Sequence, residues 1–133
     1  MAIPHIETAV QAATIFRAEL PKEQKEERVF VLPLDGSGKA LAKPILVSVG
    51  HQDGTAAIDA GTIFREALKA GAEEVIVAHN HPSGNPTPSK ADIAVTTELK
   101  ALASRLGVVF IDHLIIGSAD SAGGLGFVSL VEM

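Results

Sequence analysis

The stretch that most restricts this chain runs from Val75 to Asp92. Val75-Ile76-Val77-Ala78 is a short apolar run suited to a buried strand, and it leads into two histidines one residue apart, His79 and His81. A loop containing Pro82, Pro86 and Pro88 follows, and Ser89 and Asp92 then open a helical pattern. Side chains at i and i+2 of a strand point to one face, so the two imidazoles can aim at one point. Asp92 falls in the first turn of the helix, where its carboxylate can turn back toward the strand end. Two imidazoles and one carboxylate make three N/O ligands, the usual protein complement of a catalytic zinc.

Composition sets the outer limits. The 133 residues are the size of one domain, and 47% of them are hydrophobic, enough for a sizeable core. Residues 1–133 therefore read as one unit, with a helix and connector over 1–25 and a core over 26–131. There is no cysteine, which excludes disulfides and thiolate metal sites. No apolar run approaches the ~20 residues of a membrane span, and Met1-Ala2-Ile3-Pro4-His5 lacks the basic start of a signal peptide. The default expectation is a soluble, cytoplasmic protein with no membrane partner. The formal net charge is −5, Trp and Tyr are absent, and the basic residues are scattered. A nucleic-acid binder needs a basic stripe or an aromatic platform, so strong direct DNA binding is not expected.

In chain order, residues 6–19 carry Ile6, Val10, Ala13, Ile15 and Phe16 at helical spacing, with Leu20 just beyond and Pro21 as the stop. A charged connector over 22–27 precedes a buried strand over 28–34, whose Pro33 suggests an edge or a bulge. Asp35-Gly36-Ser37-Gly38 reads as a hairpin turn; without a P-loop lysine it is no phosphate cradle. A partner strand over 40–49 contains Pro44. A polar loop over 50–55 follows, and then a helix over 56–70 presents Ile58, Ile63, Phe64, Ala67 and Leu68, closed by Gly71. The helix over 90–106 turns Ile93, Val95, Leu99, Leu102 and Leu106 inward and ends at Gly107. Residues 108–116 form a strand interrupted around Asp112-His113. A glycine-rich loop over 117–126 leads to a last strand over 127–131. This order predicts a mixed α/β or α+β sheet flanked by helices.

The spacing His-x-His, seven residues, Ser, two residues, Asp resembles the metal signature of the JAMM (also MPN+ or JAB) metalloprotease-like domains. The longer string HNHPSGNPTPSKAD is similar to the RadC branch of that superfamily. The likeness covers roughly residues 26–131. It implies a cytidine-deaminase-like sandwich of a mixed sheet and helices. It also implies a zinc ion held by His79, His81 and Asp92, and hydrolysis of a peptide or isopeptide bond through a metal-activated water. A general base is placed by the same likeness at Glu27, which stands just before the early strand, with Glu26 and Glu23 as rivals if the strand slips in register. Ser89 inherits a hydrogen bond to the developing oxyanion.

Each of these residues has a plainer reading. Ser89 and Asp92 fit a capping box, although that motif prefers Glu or Gln at the last position; capping and metal binding can coexist. Glu27 could be one more charge in the connector. The letters His79-Asn80-His81 spell HNH, but in HNH nucleases those residues are dispersed, so the match is one of spelling. Asp112 and His113 look like an Asp-His pair of RadC-type sequences and are expected to support the site rather than ligate. His5 and His51 are expected to be surface residues.

Full-length RadC proteins usually carry a helix-hairpin-helix segment ahead of this domain, whereas the residues ahead of the core here allow at most one helix. The chain also has Gly61 and Thr62 where RadC-type sequences tend to have Arg-Glu. The expected partner is a protein or peptide substrate, with self-association left open. A catalytically idle metal-binding module and a DNA-repair factor are the alternative functions.

Overall fold

Residues 5–50 and 58–131 are described by the computed structural model. Five strands form one sheet in the order β2-β1-β3-β4-β5. They are β1 (Glu27–Leu34), β2 (Ile45–Gly50), β3 (Glu74–Asn80), β4 (Val109–Ile116) and β5 (Phe127–Ser129). Only β3 and β4 run parallel; the other neighbours are antiparallel. A parallel pair needs a long crossover, and α3 (Lys90–Leu106) supplies it. The remaining helices are α1 (Ala9–Arg17), α2 (Ala60–Lys69) and a four-residue turn, α4 (Ser121–Gly124).

The alternation of strand side chains divides the core into two layers. Phe30, Leu32, Ile76 and Leu114 meet Ala13 and Phe16 of α1 on one face. Val29, Val31, Val75 and Val77 meet Phe64 of α2 and Leu99 of α3 on the other. The result is the mixed sheet flanked by helices that the order of elements predicts, and it is consistent with a JAB/MPN fold.

Several boundaries differ from expectation. The partner strand begins at Ile45 rather than at 40, because Pro44 has no N–H to give a ladder. Ala40 makes only an isolated bridge to Leu34, beyond a turn in which Asp35 Oδ1 accepts from the N–H groups of Ser37 and Lys39. Pro33 lies where β1 has already passed the end of its pairing with β2, at Val31↔Ile45. The last strand stops at Ser129. Residues 51–57, which include His51, the predicted polar loop beyond Gly50 and the first residues of the second predicted helix, lie outside the described residues.

The inward stripe of α3 is Asp92, Thr96, Leu99 and Ala103. It is polar at the end that reaches the site, so a search for apolar periodicity turns the helix toward Ile93 and Leu106, both exposed. Val10 on α1 and Leu68 on α2 are exposed as well.

Strand β4 is continuous, but its pairing with β3 skips a residue: Val75 faces Phe110, and Ile76 faces Asp112. The extra residue, Ile111, is a β-bulge that reverses the inside–outside order of everything after it. Phe110 therefore faces α2 and α3, and so does His113, which pairs with Val77.

Candidate metal centre

The site sits where three chain segments end or begin together. Because β1 runs antiparallel to β3, with Val29 opposite His79, the start of β1 lies beside the C-terminal end of β3. The first turn of α3 arrives at the same end. Glu27 shares a face with Val29, and His79 shares it with Val77, so both point toward α3.

Glu27, His79, His81 and Asp92 each bring one ligand atom into a group whose members all lie within 4.8 Å of one another. His79 Nε2 is 3.2 Å from Asp92 Oδ1, and His81 Nε2 is 3.2 Å from Asp92 Oδ2. The two Nε2 atoms are 3.3 Å apart. Nitrogen and oxygen donors at about 2.0–2.1 Å around a tetrahedral ion are separated by roughly 3.3 Å. Each of these pairs thus has the spacing of neighbouring donors around such an ion, with the two Asp92 oxygens each facing a different ring. Glu27 Oε1 stands a little farther off, 3.5 Å from His79 Nε2.

The capping reading of Ser89 and Asp92 holds, and it leaves the Asp92 carboxylate turned toward the imidazoles. Ser89 Oγ accepts from the Asp92 N–H at 3.0 Å, and Asp92 Oδ2 accepts from the Ser89 N–H at 2.9 Å, which closes a capping box. The same carboxylate faces the two imidazoles. Its negative charge also lies at a helix N-terminus, where the exposed N–H groups favour an anion. Burial pushes the Asp92 carboxyl up, but the neighbouring imidazoles of His79 and His81 and the Ser89 N–H outweigh it and hold the group below the ordinary carboxylate range. Ser89 itself is exposed.

Glu27 is the first residue of β1 and is 6% exposed, whereas Glu23 and Glu26 are exposed. Burial raises its pKa, partly offset by the nearby His79 and His81. The Asp92 hydrogen bond raises the pKa of His81 against the opposing effect of burial. His81 Nδ1 lies 3.0 Å from the Asn85 carbonyl oxygen, which can only accept, so Nδ1 carries a hydrogen and Nε2 faces the site. The proline loop after His81 shapes this contact. Gly117 lets the chain after β4 approach it: a Cβ there would sit 2.5 Å from the Gly84 carbonyl oxygen.

Asn80 has a role that the spacing of the ligand motif does not mark. The register between β1 and β3 ends at Val29↔His79, and beyond it the Asn80 side chain takes the place of a ladder. Its Oδ1 accepts from the Arg28 N–H at 2.7 Å, and its Nδ2 donates to the Glu26 carbonyl at 3.1 Å and to Gln24 Oε1 at 2.9 Å. These bonds hold the backbone on both sides of Glu27. The middle letter of His-x-His carries information after all, though not that of a nuclease.

Of the Asp-His pair, His113 is fully buried against the site, with Nε2 2.9 Å from His79 Nδ1 and Nδ1 2.7 Å from Thr96 Oγ1. Burial, and the charge of His79 beside it, lower its pKa to about 3. Asp112 points to the opposite face, where both carboxylate oxygens accept from Ser129 Oγ.

A family model described as the RadC-like JAB domain matches residues 6–132. The chain belongs to the RadC-like JAB domain family. Among curated members, the UPF0758 protein of Carboxydothermus hydrogenoformans is 46% identical over 94 residues, which are 71% of this chain and 41% of the relative. The UPF0758 protein of Actinobacillus pleuropneumoniae serotype 5b is 40% identical over 110 residues, 82% of this chain and 48% of the relative. That of Clostridium perfringens is 40% identical over 93 residues, 70% of this chain and 40% of the relative. This RadC-like JAB chain thus spans less than half the length of the curated relatives it matches. No helix among its described residues is long and apolar enough to cross a membrane.

Proposed function

We propose that this RadC-like JAB domain is a zinc-dependent hydrolase of the JAMM type, cleaving a peptide or isopeptide bond with an activated water. The observation that supports this most directly is the meeting of two imidazoles and a carboxylate, 3.2–3.3 Å apart pair by pair, with a second buried carboxylate beside them. His79, His81 and Asp92 would hold the ion. When bound there, zinc supplies Lewis acidity that makes water a nucleophile near neutral pH and polarises a carbonyl.

Glu27 is the general base. It takes the water proton as the new C–O bond forms and passes it to the nitrogen as the C–N bond breaks. Its burial favours this role, since a carboxylate with a raised pKa exchanges protons more readily near neutral pH. In capping α3, Ser89 uses only an oxygen lone pair, so its hydrogen can be donated to the oxyanion. The acidic, aromatic-poor composition favours a protein or peptide substrate over DNA.

The position of Glu27 within ligand range of the same point favours a second reading. As a fourth ligand it would close the site to water, which is the mark of a structural zinc site rather than a catalytic one. One variant separates the two. Glu27→Gln should keep zinc, measured by competition with a chromophoric chelator. It should also lose peptide and isopeptide hydrolysis by about 10²–10⁴-fold. If Glu27→Gln loses zinc instead, the closed, idle module is correct.

A further inference from the structure

A metal-ligating histidine needs its second ring N–H held by an acceptor, because that bond fixes the tautomer and the ring orientation. For His79 the partner is unusual: it is another imidazole, His113, and not a carbonyl or carboxylate. Two neutral imidazoles can share one hydrogen in either direction, so this contact alone does not decide which nitrogen of His79 is bare. The decision is made one residue further back.

Thr96 Oγ1 lies 2.9 Å from the Asp92 carbonyl oxygen, an atom that can only accept. The hydroxyl has one hydrogen, and that bond uses it. Toward His113 Nδ1, 2.7 Å away, Thr96 Oγ1 therefore acts as acceptor, so Nδ1 of His113 carries the ring hydrogen. His113 Nε2 is then bare and accepts from His79 Nδ1–H. His79 Nε2 is left as a lone pair facing Asp92 and His81.

We propose that Thr96 and His113 are positioning residues: a directed chain from the α3 backbone carbonyl through Thr96 and His113 presets the His79 tautomer, so that its Nε2 is ready for a metal before the metal arrives. The inference rests on the metal-site reading above and adds residues that no ligand motif contains. The carbonyl at the head of the chain belongs to Asp92, so a single residue supplies one potential ligand and orients another.

The test uses the full chain and zinc alone, with nitrogen-15 NMR of the histidine rings. In the wild-type protein His113 should carry its hydrogen on Nδ1 in both the metal-free and zinc-loaded states. Thr96→Val removes the acceptor without changing the side-chain shape. In that variant His113 should move its hydrogen to Nε2, and zinc affinity should fall about 10–100-fold. Thr96→Ser, which keeps the hydroxyl, should restore both properties. Thermal melts near the wild-type value would show that Thr96→Val is folded.

Equal zinc affinity in Thr96→Val and wild type would overturn the proposal, as would a hydrogen found on His113 Nε2 in the wild-type protein. A wild-type chain that takes up no zinc, yet keeps the hydrogen on His113 Nδ1, would sink the metal-site reading instead.

Discussion

Asp92 and Asp112 are both 6% exposed, and they lie on opposite faces of the sheet. Asp112 accepts from Ser129 Oγ, from the His113 N–H at 2.7 Å and from the Val131 N–H at 3.4 Å. These donors come from the chain itself, and they fasten β4 to the segment that ends the sheet. Asp92 receives the Ser89 N–H, but both of its oxygens also face imidazole nitrogens of the candidate metal group. An acid answered by fixed backbone and hydroxyl donors is structural. An acid turned toward the bare nitrogens of two rings needs a proton or a cation between them.

Three measurements can break or sharpen this contrast. Asp92→Asn should weaken zinc binding by more than about 100-fold, beyond the range typical of residues that only support ligands. Chelator competition reads that loss, and a melting temperature close to wild type would show that the fold is kept. Asp112→Asn should do the reverse. It should cost about 1–3 kcal/mol of stability in urea denaturation, because a buried hydrogen-bonding group is mispaired, while zinc affinity stays unchanged. If Asp112→Asn abolished zinc binding, the division between the faces would fail.

The smallest effect is one of pH. The hydrogen bond with Asp92 raises the His81 pKa above its ordinary value of about 6.5. Below that raised value the ring holds a proton that the metal must displace. Zinc affinity should therefore be level at higher pH and fall by about tenfold per unit as the pH drops through this range. A titration at stepped pH checks it, and a profile flat down to pH ~5 would argue against His81 as a ligand.

Much of the site was legible because its information is local. The spacing of His79, His81, Ser89 and Asp92 encodes a strand end and a helix start, and the structure places both there. Glu27 reaches the site through one long-range fact, the antiparallel pairing of β1 with β3; the family resemblance pointed to the residue, but neither it nor the sequence alone reports that pairing. Asn80 escaped notice because its role depends on where that ladder stops. Thr96 escaped because it sits at a position in α3 where apolar periodicity looks for a hydrophobe. The Asp112-His113 pair is visible in the sequence, yet the direction of His113 depends on a register shift between two strands that no pattern within either strand reports.

That register shift gives the bulge a meaning separate from residue identity. Ile111 is the odd residue in β4, and were it to take a regular ladder place opposite Ile76, every letter after it would be unchanged while pointing the other way. His113 and Ile115 would turn toward α1, and Leu114 and Ile116 toward α2 and α3. The candidate metal group would lose its backing imidazole without the substitution of any of its members.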